Sequence, residues 1–596
     1  MDNGATMRTI LALRHVLFTN NIAKVGGVVE AQINPKLRIA LQLTSPSALI
    51  DAACFTHKDG REVVFPVDLS VFLNSLMFSC ASMPRLATVI MSLLDFEGAA
   101  IRRRFIGNLK FGPNNKLGGA IGHTYDELQA NFSNATIVGL VDSENTTRQG
   151  YGLCPNPKTK LRATDLVVFI SKTSTPVPDK TACKAFESYR NWAVTLRKTL
   201  NNSKAKGRVK DQKNVLVCGW RDVWTADPDR LRDRIMEIAD DRLPDSTITF
   251  LNGCSKEAFG EVMGDIGLVP VSGPELQVLR ERISGAEAKT EFRGENVAGD
   301  DLKETDAKGA QRFSVAMVKN KLLTLTKEEK AKRKAIEGGI TPEAHMYYRF
   351  TQPWLTGIHV RHIKGDPTHA PVLEPIILKG PPIHTAIVLG TQARMQLPAR
   401  SRDTRVLTIM LLLRKLTMLR ESVPGAKITP MHLVGENHED MTSKLALTPV
   451  AAGDQGSYKA DFINTQAIYA RIMAQIVAYP LIKEALGDVF SDAEGGANIE
   501  ISLASAYVPM HVSIEWGVVS EMVTLAPGEI THVVGFISES GELSITPHHA
   551  MKRAYTQRDK VVIIRRITVK QEVDRHSVPA APGMRGNPAN WPPFGS

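Results

Sequence analysis

The chain has 596 residues, enough for roughly three to five domains of ordinary size. Its composition is that of a globular protein, 43% apolar and 23% charged, and no apolar run approaches the roughly 18–20 residues that span a bilayer. The net charge of +11 is spread out, with clusters in residues 198–213 and 327–334. We interpret these clusters as solvated linkers, with nucleic-acid or lipid contact as the alternative. The six cysteines form no CxxC pair, so neither a zinc site nor a disulfide framework is expected.

The first predicted elements are a helix at residues 7–17 and a strand at residues 27–33. A pair of apolar helices follows within residues 67–98, and Pro84 ends the first of them because proline cannot donate a hydrogen bond to the preceding turn. The apolar stripe of that first helix consists of Phe72, Leu76 and Met77. Residues 135–171 then alternate apolar positions with Gly, Asn and Ser turns, which predicts a small antiparallel β lobe.

Both patterns recur later in the chain, which predicts an internal repeat. Residues 463–495 repeat the helix pair, with Pro480 in the place of Pro84. Residues 530–566 repeat the β lobe, and both lobes place an acidic turn before the last strand. The repeated apolar stripe consists of Ile468, Ile472 and Met473. We predict that the two units pack against each other through the two apolar stripes.

The second repeat is preceded by alternating strands and helices, which predicts a parallel, doubly wound sheet. The expected strands are residues 214–219, 247–252, 358–363, 385–390 and 428–435, and the expected helices are residues 227–239 and 405–420.

Only about half of that run precedes the first repeat. The helix at 7–17 corresponds to the one at 405–420, and the strand at 27–33 corresponds to the one near 430–434. The fold class is therefore α/β, with two Rossmann-like units, each with a crossover helix pair and a small antiparallel lobe, and the first unit is incomplete at its front. A half-sheet leaves an unpaired edge, so another segment, another subunit or additional N-terminal sequence is expected to cover it.

Domain boundaries follow from these patterns. The expected divisions are 1–100 (partial first Rossmann-like half with crossover helices), 101–180 (first β lobe), 181–213 (basic linker), 214–500 (second Rossmann-like domain, with a mobile insertion at 271–345 and one helix at 326–336), 501–572 (second β lobe) and 573–596 (disordered Pro-rich tail).

Several segments, in this order, resemble the cytosolic half of the CASTOR/POLLUX family of ion channels. The resemblance covers roughly residues 5–172 and 214–566 and is carried by the joint order of its motifs. These are ELQANFSNATIVGLVDS (127–143), ATDLVVFIS (163–171), NVLVCGWRD (214–222), LPDSTITFLN (243–252), IHVRHIKGDPTH (358–369), IHTAIVLG (383–390), LTIMLLLRKL (407–416), DFINTQAIYARIMAQIVAYPLIKEALGDVFSDAEG (461–495), HVVGFISESGELSITP (532–547) and QRDKVVII (557–564).

The resemblance implies two RCK units (regulators of K⁺ conductance) in a tetrameric gating ring beneath a potassium- or cation-conducting pore. It also implies modulation by calcium and a place on the cytoplasmic face of a membrane, the nuclear envelope in plant members. The pore helices of the family have no counterpart here. The partners implied are other copies of the chain, or full-length channel subunits, with monovalent cations passing through the family pore and no nucleic acid. A pore-less interaction protein that assembles with a full-length channel is the alternative.

Two groups of residues are candidates for ligand binding. The turn Gly219-Trp220-Arg221 stands where a Rossmann fold carries its G-x-G-x-x-G phosphate loop, but keeps one glycine, so we interpret it as a structural turn and rank a nucleotide-dependent oxidoreductase low. No catalytic motif is present, and we expect no enzyme activity. Calcium is the candidate cofactor, because it prefers clustered oxygen ligands such as the carboxylates of an acidic turn. The local candidates for it are Asp488, Asp492 and Glu494, for which a solvated helix end is the alternative.

Overall fold

The structure is a computed structural model of the whole chain. It describes residues 22–25, 28–31, 39–42, 64–67, 69–95, 98–112, 114–142, 152–173, 175–200, 214–240, 244–289, 345–391, 397–421, 431–439, 442, 445, 460–478, 497–526 and 530–566.

The first unit begins with four short strands and two helices. They are β1 (Ile22–Val25), β2 (Val28–Ala31), β3 (Ile39–Gln42), β4 (Val64–Val67), α1 (Leu69–Ser82) and α2 (Leu86–Leu94). β1 and β2 form an antiparallel hairpin, whereas β3 and β4 pair in parallel and lead into α1. The predicted equivalence of strand 27–33 with the strand near 430–434 is therefore wrong, because β3 holds that place. The sequence predicted a strand there correctly, but a short apolar segment does not show whether its strand belongs to a hairpin or to a parallel sheet.

A small antiparallel lobe follows α2. Its elements are β5 (Ala100–Phe105), β6 (Lys110–Phe111), β7 (Lys116–Leu117), α3 (Tyr125–Gln129), β8 (Ala135–Val141), β9 (Gly152–Leu153) and β10 (Leu166–Ser171). The four-stranded sheet has the order β5-β10-β8-β9. α3 begins at a capping box in which Thr124 accepts from the backbone N–H of Glu127. The side chains of Tyr125 and Gln129 donate to the carbonyl of Ile137 and so hold the helix against β8.

A long helix, α4 (Lys180–Thr199), occupies most of the segment predicted as a basic linker. Its buried Ala193 lies in the core of the second lobe, while Arg190 forms a 2.9 Å ion pair with Asp126 of the first lobe. The segment is thus an ordered connection in its first part, and residues 201–213 lie outside the described part.

The second unit contains a larger α/β domain. Its elements are β11 (Asn214–Cys218), α5 (Asp222–Ala226), α6 (Asp229–Asp240), β12 (Thr247–Asn252), α7 (Lys256–Asp265), β13 (Val269–Pro270), α8 (Gly273–Lys289), β14 (Met346–Arg349), β15 (His359–Lys364), α9 (Ala370–Glu374), β16 (Ile383–Val388), α10 (Ala399–Glu421), β17 (His432–Asn437), β18 (Ala460–Asn464) and α11 (Thr465–Ala478).

Six of its strands are parallel and stand in the order β15-β12-β11-β16-β17-β18. By chain order this is 3-2-1-4-5-6, the order of a doubly wound Rossmann sheet. β14 and β13 extend the β15 edge in antiparallel fashion. The strands are buried on both faces, as expected of parallel strands covered by helices. α9 and α10 cover one face, and α6 and α7 pack on the other.

Part of the predicted mobile insertion is regular structure. Residues 273–289 form α8, and Val271 and Leu279 pack with Tyr347 in a small apolar cluster beside β14. The helix expected at 326–336 lies outside the described residues.

The second small lobe closes the described chain. It consists of β19 (Ala497–Leu503), β20 (Ser513–Glu515), α12 (Trp516–Thr524), β21 (Ile530–Ile537), β22 (Leu543–Ile545), β23 (Lys552–Ala554) and β24 (Lys560–Arg566). Its main sheet has the order β19-β24-β21-β22, the same order as the first lobe.

The two lobes also share their irregularities. The ladder of β8 slips at Val138 and that of β21 slips at Val534. The carbonyls of these two residues accept from the backbone N–H groups of Cys154 and Thr546, each at 2.8 Å, and both donors have positive φ. A bulge repeated with its bonding partner confirms the predicted internal repeat, and with it the α/β class built from two Rossmann-like units.

Candidate functional site

The two units exchange helices. α1 of the first unit lies against β16, β17 and α6 of the second unit, and α11 of the second unit lies against β3 and α2 of the first. We call this region, comprising α1, α2, α6, α11 and the strands that they cover, the joint. Each unit thus completes part of its core with a helix from the other, which makes the joint the place where the two units can influence each other.

The centre of the joint is apolar. Leu76, Met77 and Phe78 of α1 are buried in one continuous core with residues of α6. The ring of Phe78 meets the ring of Trp224 edge to face, with centroids 6.1 Å apart. Leu76 and Met77 belong to the stripe predicted from sequence, while the side chain of Phe72 lies outside the described part.

The second stripe occupies the equivalent place on α11. Ile468 and Ile472 are buried in the same core, and Met473 packs against it while partly exposed. Both stripes therefore face a common core between the units, as the helical spacing predicted.

Polar contacts cross the joint beside this core. Arg234 of α6 donates to the hydroxyl of Ser75 at 2.8 Å, and both side chains are buried. His432 Nε2 donates to the carbonyl of Cys80 at 3.0 Å, and Thr385 Oγ1 donates to the carbonyl of Ala81 at 3.3 Å. The C-terminal carbonyls of α1 lack helical partners, so side chains of the second sheet satisfy them.

Arg85 links three elements at the turn between α1 and α2. Its backbone has φ 82°, in the left-handed region, and its N–H donates to the carboxylate of Asp461 at 2.6 Å. Its guanidinium donates to the carbonyl of Gly541, in the turn between β21 and β22, at 2.7 Å. The Asp461 carboxylate is also 3.4 Å from His432 Nε2, and burial raises the pKa of Asp461. A strained residue held by two distant partners ties the crossover turn to both parts of the second unit.

The other crossover helix is tied down in a similar way. Arg471 of α11 donates to the carbonyl of Met91 at 3.1 Å and forms a 3.4 Å ion pair with Asp95. Gln475 donates to the carbonyl of Leu94 at 3.4 Å. These side chains satisfy the C-terminal end of α2 just as His432 and Thr385 satisfy the end of α1.

The two small lobes meet at His532. Gln129 donates to His532 Nδ1 at 2.9 Å, so the ring proton lies on Nε2, which is 3.4 Å from the Tyr125 hydroxyl. Tyr125 in turn donates to the carbonyl of Ile137 at 3.0 Å. Burial lowers the pKa of His532 to about 4, so the imidazole is neutral in this contact near pH 7.

The Rossmann turn of the second unit is closed by its own backbone. Gly219 N–H donates to the carbonyl of Leu251 at 3.0 Å, and Trp220 N–H donates to that of Thr391 at 3.1 Å. A Cβ on Gly219 would come within 2.6 Å of the Thr391 oxygen. Arg221 lies 3.2 Å from the buried carboxylate of Glu436. Two of the backbone N–H groups in the turn where a pyrophosphate would lie are thus already bonded within the chain.

The candidate calcium ligands Asp488, Asp492 and Glu494 lie outside the described residues, so their prediction stays untested. In the part of the chain that the structure does describe, no group of three or more His, Cys, Asp or Glu side chains is placed to hold a metal ion. Among the same residues, no helix combines the length and apolar character needed to cross a bilayer.

Sequence patterns missed the polar residues of the joint and of the contact between the two small lobes. Arg85, His432, Asp461 and His532 each depend on a partner more than 300 positions away. The one local signal was Pro84, which ends a helix and marks the turn before α2 in which Arg85 lies.

Comparisons with known proteins leave the family of the chain open. No protein-family model matches it, and no curated protein matches it. Among the solved structures that match is one described as the structure of the human SLO3 gating ring, at 10% sequence identity and a TM-score of 0.47. The match covers 95% of this chain and 86% of that one. The fold described above rests on strand order and on the repeated bulge, and not on this likeness.

Proposed function

We propose that the chain is the regulatory, gating-ring portion of a potassium or cation channel of the CASTOR/POLLUX type, composed of two RCK units. The observation that carries this proposal is the reciprocal packing at the joint. α1 completes the core of the second unit and α11 contacts the first, so a shift between the units must move both crossover helices together. A regulatory protein that converts ligand binding into movement needs two units that are coupled in this way.

The proposed mechanism is a population shift between two arrangements of the joint. A ligand changes this equilibrium only as far as it binds one arrangement more tightly than the other. Calcium is the proposed ligand, because the resemblance implies it and because Asp488, Asp492 and Glu494 offer carboxylate oxygens in one segment of sequence. That segment follows α11, so calcium held there would act on a helix of the joint.

Four copies are proposed to form a ring on the cytoplasmic face of a membrane, with the pore supplied by channel subunits. In this scheme the chain binds and moves but performs no reaction. The closed turn at Gly219 supports that part of the proposal, because its backbone N–H groups are already bonded within the chain.

The test attaches the chain behind a tetrameric two-helix potassium pore that does not itself respond to calcium. Single-channel recording in planar bilayers then measures open probability as calcium is raised at the face carrying the chain. We expect open probability to depend on calcium and the dependence to weaken in the double variant Asp488→Asn, Asp492→Asn. The matched control is Glu261→Gln, Asp265→Asn, which removes two exposed carboxylates from α7, a helix outside the joint. Calcium-independent opening with a correctly assembled tetramer would refute the proposed regulation.

Nucleotide binding is tested on the unfused protein. The oxidoreductase alternative requires that NAD or NADP bind at the crevice beside Gly219. Titration calorimetry with either dinucleotide is expected to show no binding up to millimolar concentration, and micromolar binding lost in Arg221→Ala would favour that alternative instead.

A further inference from the structure

One end of the first small lobe exposes apolar side chains. Phe105, Leu117 and Ile121 are 42%, 62% and 48% exposed. Backbone hydrogen bonds place the segments that carry them side by side. Gly107 N–H, two residues after Phe105, donates to the carbonyl of Ala163, and Gly122 N–H, next to Ile121, donates to that of Leu161. Gly118 N–H, next to Leu117, donates to the carbonyl of Leu109. Three large apolar side chains grouped at one end of a lobe form a surface that water does not favour.

The hairpin β6-β7 presents part of this surface outward. Phe111 and Lys116 are opposite each other in the hairpin, as are Lys110 and Leu117. Phe111 packs against the core of the lobe, and successive residues of a strand point to opposite faces. Lys110 and Leu117 therefore share the face directed away from the lobe, one contributing a cation and the other an apolar side chain.

Cations surround the apolar residues. Exposed basic residues occur on the hairpin and on residues 158–162, a loop that bonds to the chain following the hairpin. In this loop Leu161 accepts from Gly122 N–H, and Lys160 forms a β-bridge with Thr124. The exposed basic residues are Lys110, Lys116, Lys158, Lys160 and Arg162. None of these five forms an ion pair with a carboxylate in the described part of the chain. The nearby Asp126 and Glu127 are engaged with Arg190 and with the cap of α3, and Asp165 is buried.

The second lobe, built on the same plan, has a different charge pattern. Its exposed apolar residues at the equivalent end are Leu503 and Val512. Its exposed cations Lys552 and Arg558 form ion pairs with Glu515 and Glu539 at 3.3 Å and 3.0 Å. The basic, apolar character is thus a property of the first lobe and not of the repeat.

We propose that this surface of the first lobe binds an anionic lipid bilayer. Phospholipid headgroups would take the five cations, and Leu117, Ile121 and Phe105 would enter the interface between headgroups and acyl chains. Charge complementarity favours this partner, because the surface carries five cations and none of them is ion-paired with a carboxylate of the described residues. Nucleic acid fits less well, because bases stack on aromatic rings and arginine planes, whereas this surface has two aliphatic side chains, one ring and mostly lysines.

The test is flotation of the full chain with lipid vesicles. Vesicles of phosphatidylcholine alone are compared with vesicles containing about one third phosphatidylserine. We expect binding to the anionic vesicles only, weakening as salt is raised because screening shortens the reach of the charges. The charge variant is Lys110→Ala, Lys160→Ala, for which we expect about 25-fold weaker binding, at roughly fivefold per lysine. The apolar variant is Leu117→Ser, Ile121→Ser, for which we expect about tenfold weaker binding or more.

Each variant has a matched control on the second lobe. Lys552→Ala, Arg558→Ala changes the net charge equally, and Leu503→Ser, Val512→Ser removes two apolar side chains of similar exposure. The controls are expected to bind within about twofold of the unaltered chain, since screened charges act only within about a Debye length. All the altered positions are exposed, and thermal unfolding verifies that each variant is folded.

Three outcomes would overturn the proposal. The first is equal binding to neutral and anionic vesicles. The second is a loss of binding as large in the second-lobe controls as in the first-lobe variants. The third is vesicle binding that the first-lobe variants leave unchanged while they weaken binding to a duplex or single-stranded oligonucleotide, which would assign the surface to nucleic acid.

Discussion

Phe78 is the side chain on which the joint can be tested most directly. It is fully buried, it belongs to α1 of the first unit, and its ring meets Trp224 of the second unit at a centroid distance of 6.1 Å. Replacing a buried phenylalanine by alanine costs about 3–5 kcal/mol through lost transfer free energy and the cavity left behind. Because the lost contacts lie between units, most of this cost is expected to appear in the free energy that keeps the joint closed.

Hydrogen–deuterium exchange resolved by peptide measures that free energy. At 1.4 kcal/mol per factor of ten, Phe78→Ala should speed exchange by a factor on the order of 10²–10³ wherever opening of the joint is the limiting step. The affected peptides should come from α1 and also from α6, although no residue of α6 is changed.

Phe132→Ala is the matched control. Phe132 is equally buried but lies within the core of the first lobe, away from the joint. We expect this variant to speed exchange in the lobe while leaving α6 unchanged. Faster exchange confined to α1 in Phe78→Ala, with α6 as protected as before, would refute the inference that the two units share one core.

Three further predictions concern single positions. Gly139→Ala should lower the free energy of unfolding by about 2 kcal/mol or more in urea titrations, because a Cβ there would lie 2.9 Å from a carbonyl oxygen of β9, whereas Gly264→Ala, in open space on a helix, should be neutral or stabilising. His532→Gln tests a pH dependence. The folded pKa of about 4 lies below the unfolded value near 6.5, so the unfolded chain binds an extra proton between these values. Stability of the unaltered chain should therefore fall as pH falls through this window, by up to about 1.4 kcal/mol per pH unit more than in the variant, and parallel stability curves would contradict the buried neutral state. Ser75→Ala should cost about 0.5–1.5 kcal/mol by removing one acceptor of the buried Arg234, and the cost should shrink when Arg234 is changed to Met first.

Local periodicity was sufficient to predict the repeat and the parallel sheet. A strand buried on both faces is a continuous apolar run, and β11, β12 and β16 stood out for that reason. The start of α10 was predicted incorrectly. α10 begins at Ala399, six residues before the predicted start, because Arg402 N–H already bonds to the carbonyl of Pro398 while its first turns carry polar residues without an apolar period.

Ordered segments of low apolar content were missed for a related reason. α4 and α8 were predicted as a linker and as a mobile insertion because each is rich in charged and polar residues. Each buries only a narrow line of side chains, Ala193 with its neighbours in α4 and Leu279 in α8. The composition of such a segment is dominated by its exposed polar face. The narrow buried stripe therefore does not stand out, and the helix was not predicted.

The partners across the joint could not be predicted from one sequence. A helical stripe shows that one face of α1 is buried, but not which surface covers it. The stripes at Leu76 and Ile472 were correctly assigned to the packing between units because the repeat suggested two equivalent helices. The polar contacts of Arg85 with Asp461 and Gly541 needed the fold itself, since each joins residues hundreds of positions apart.

The exchange of helices gives the short first sheet apolar contacts from the second unit. Two parallel strands, β3 and β4, are described there, and α11 of the second unit lies against β3. In return, α1 covers β16 and β17, so each unit protects apolar surface of the other. Neither unit can then leave its partner without exposing a core that includes Met77 and Trp224. Burial of these two side chains alone contributes a free energy of several kcal/mol. Movement between the units is therefore expected to be a small rotation about a closed joint, and a ligand acts on it most effectively through the elements that hold the two crossover helices.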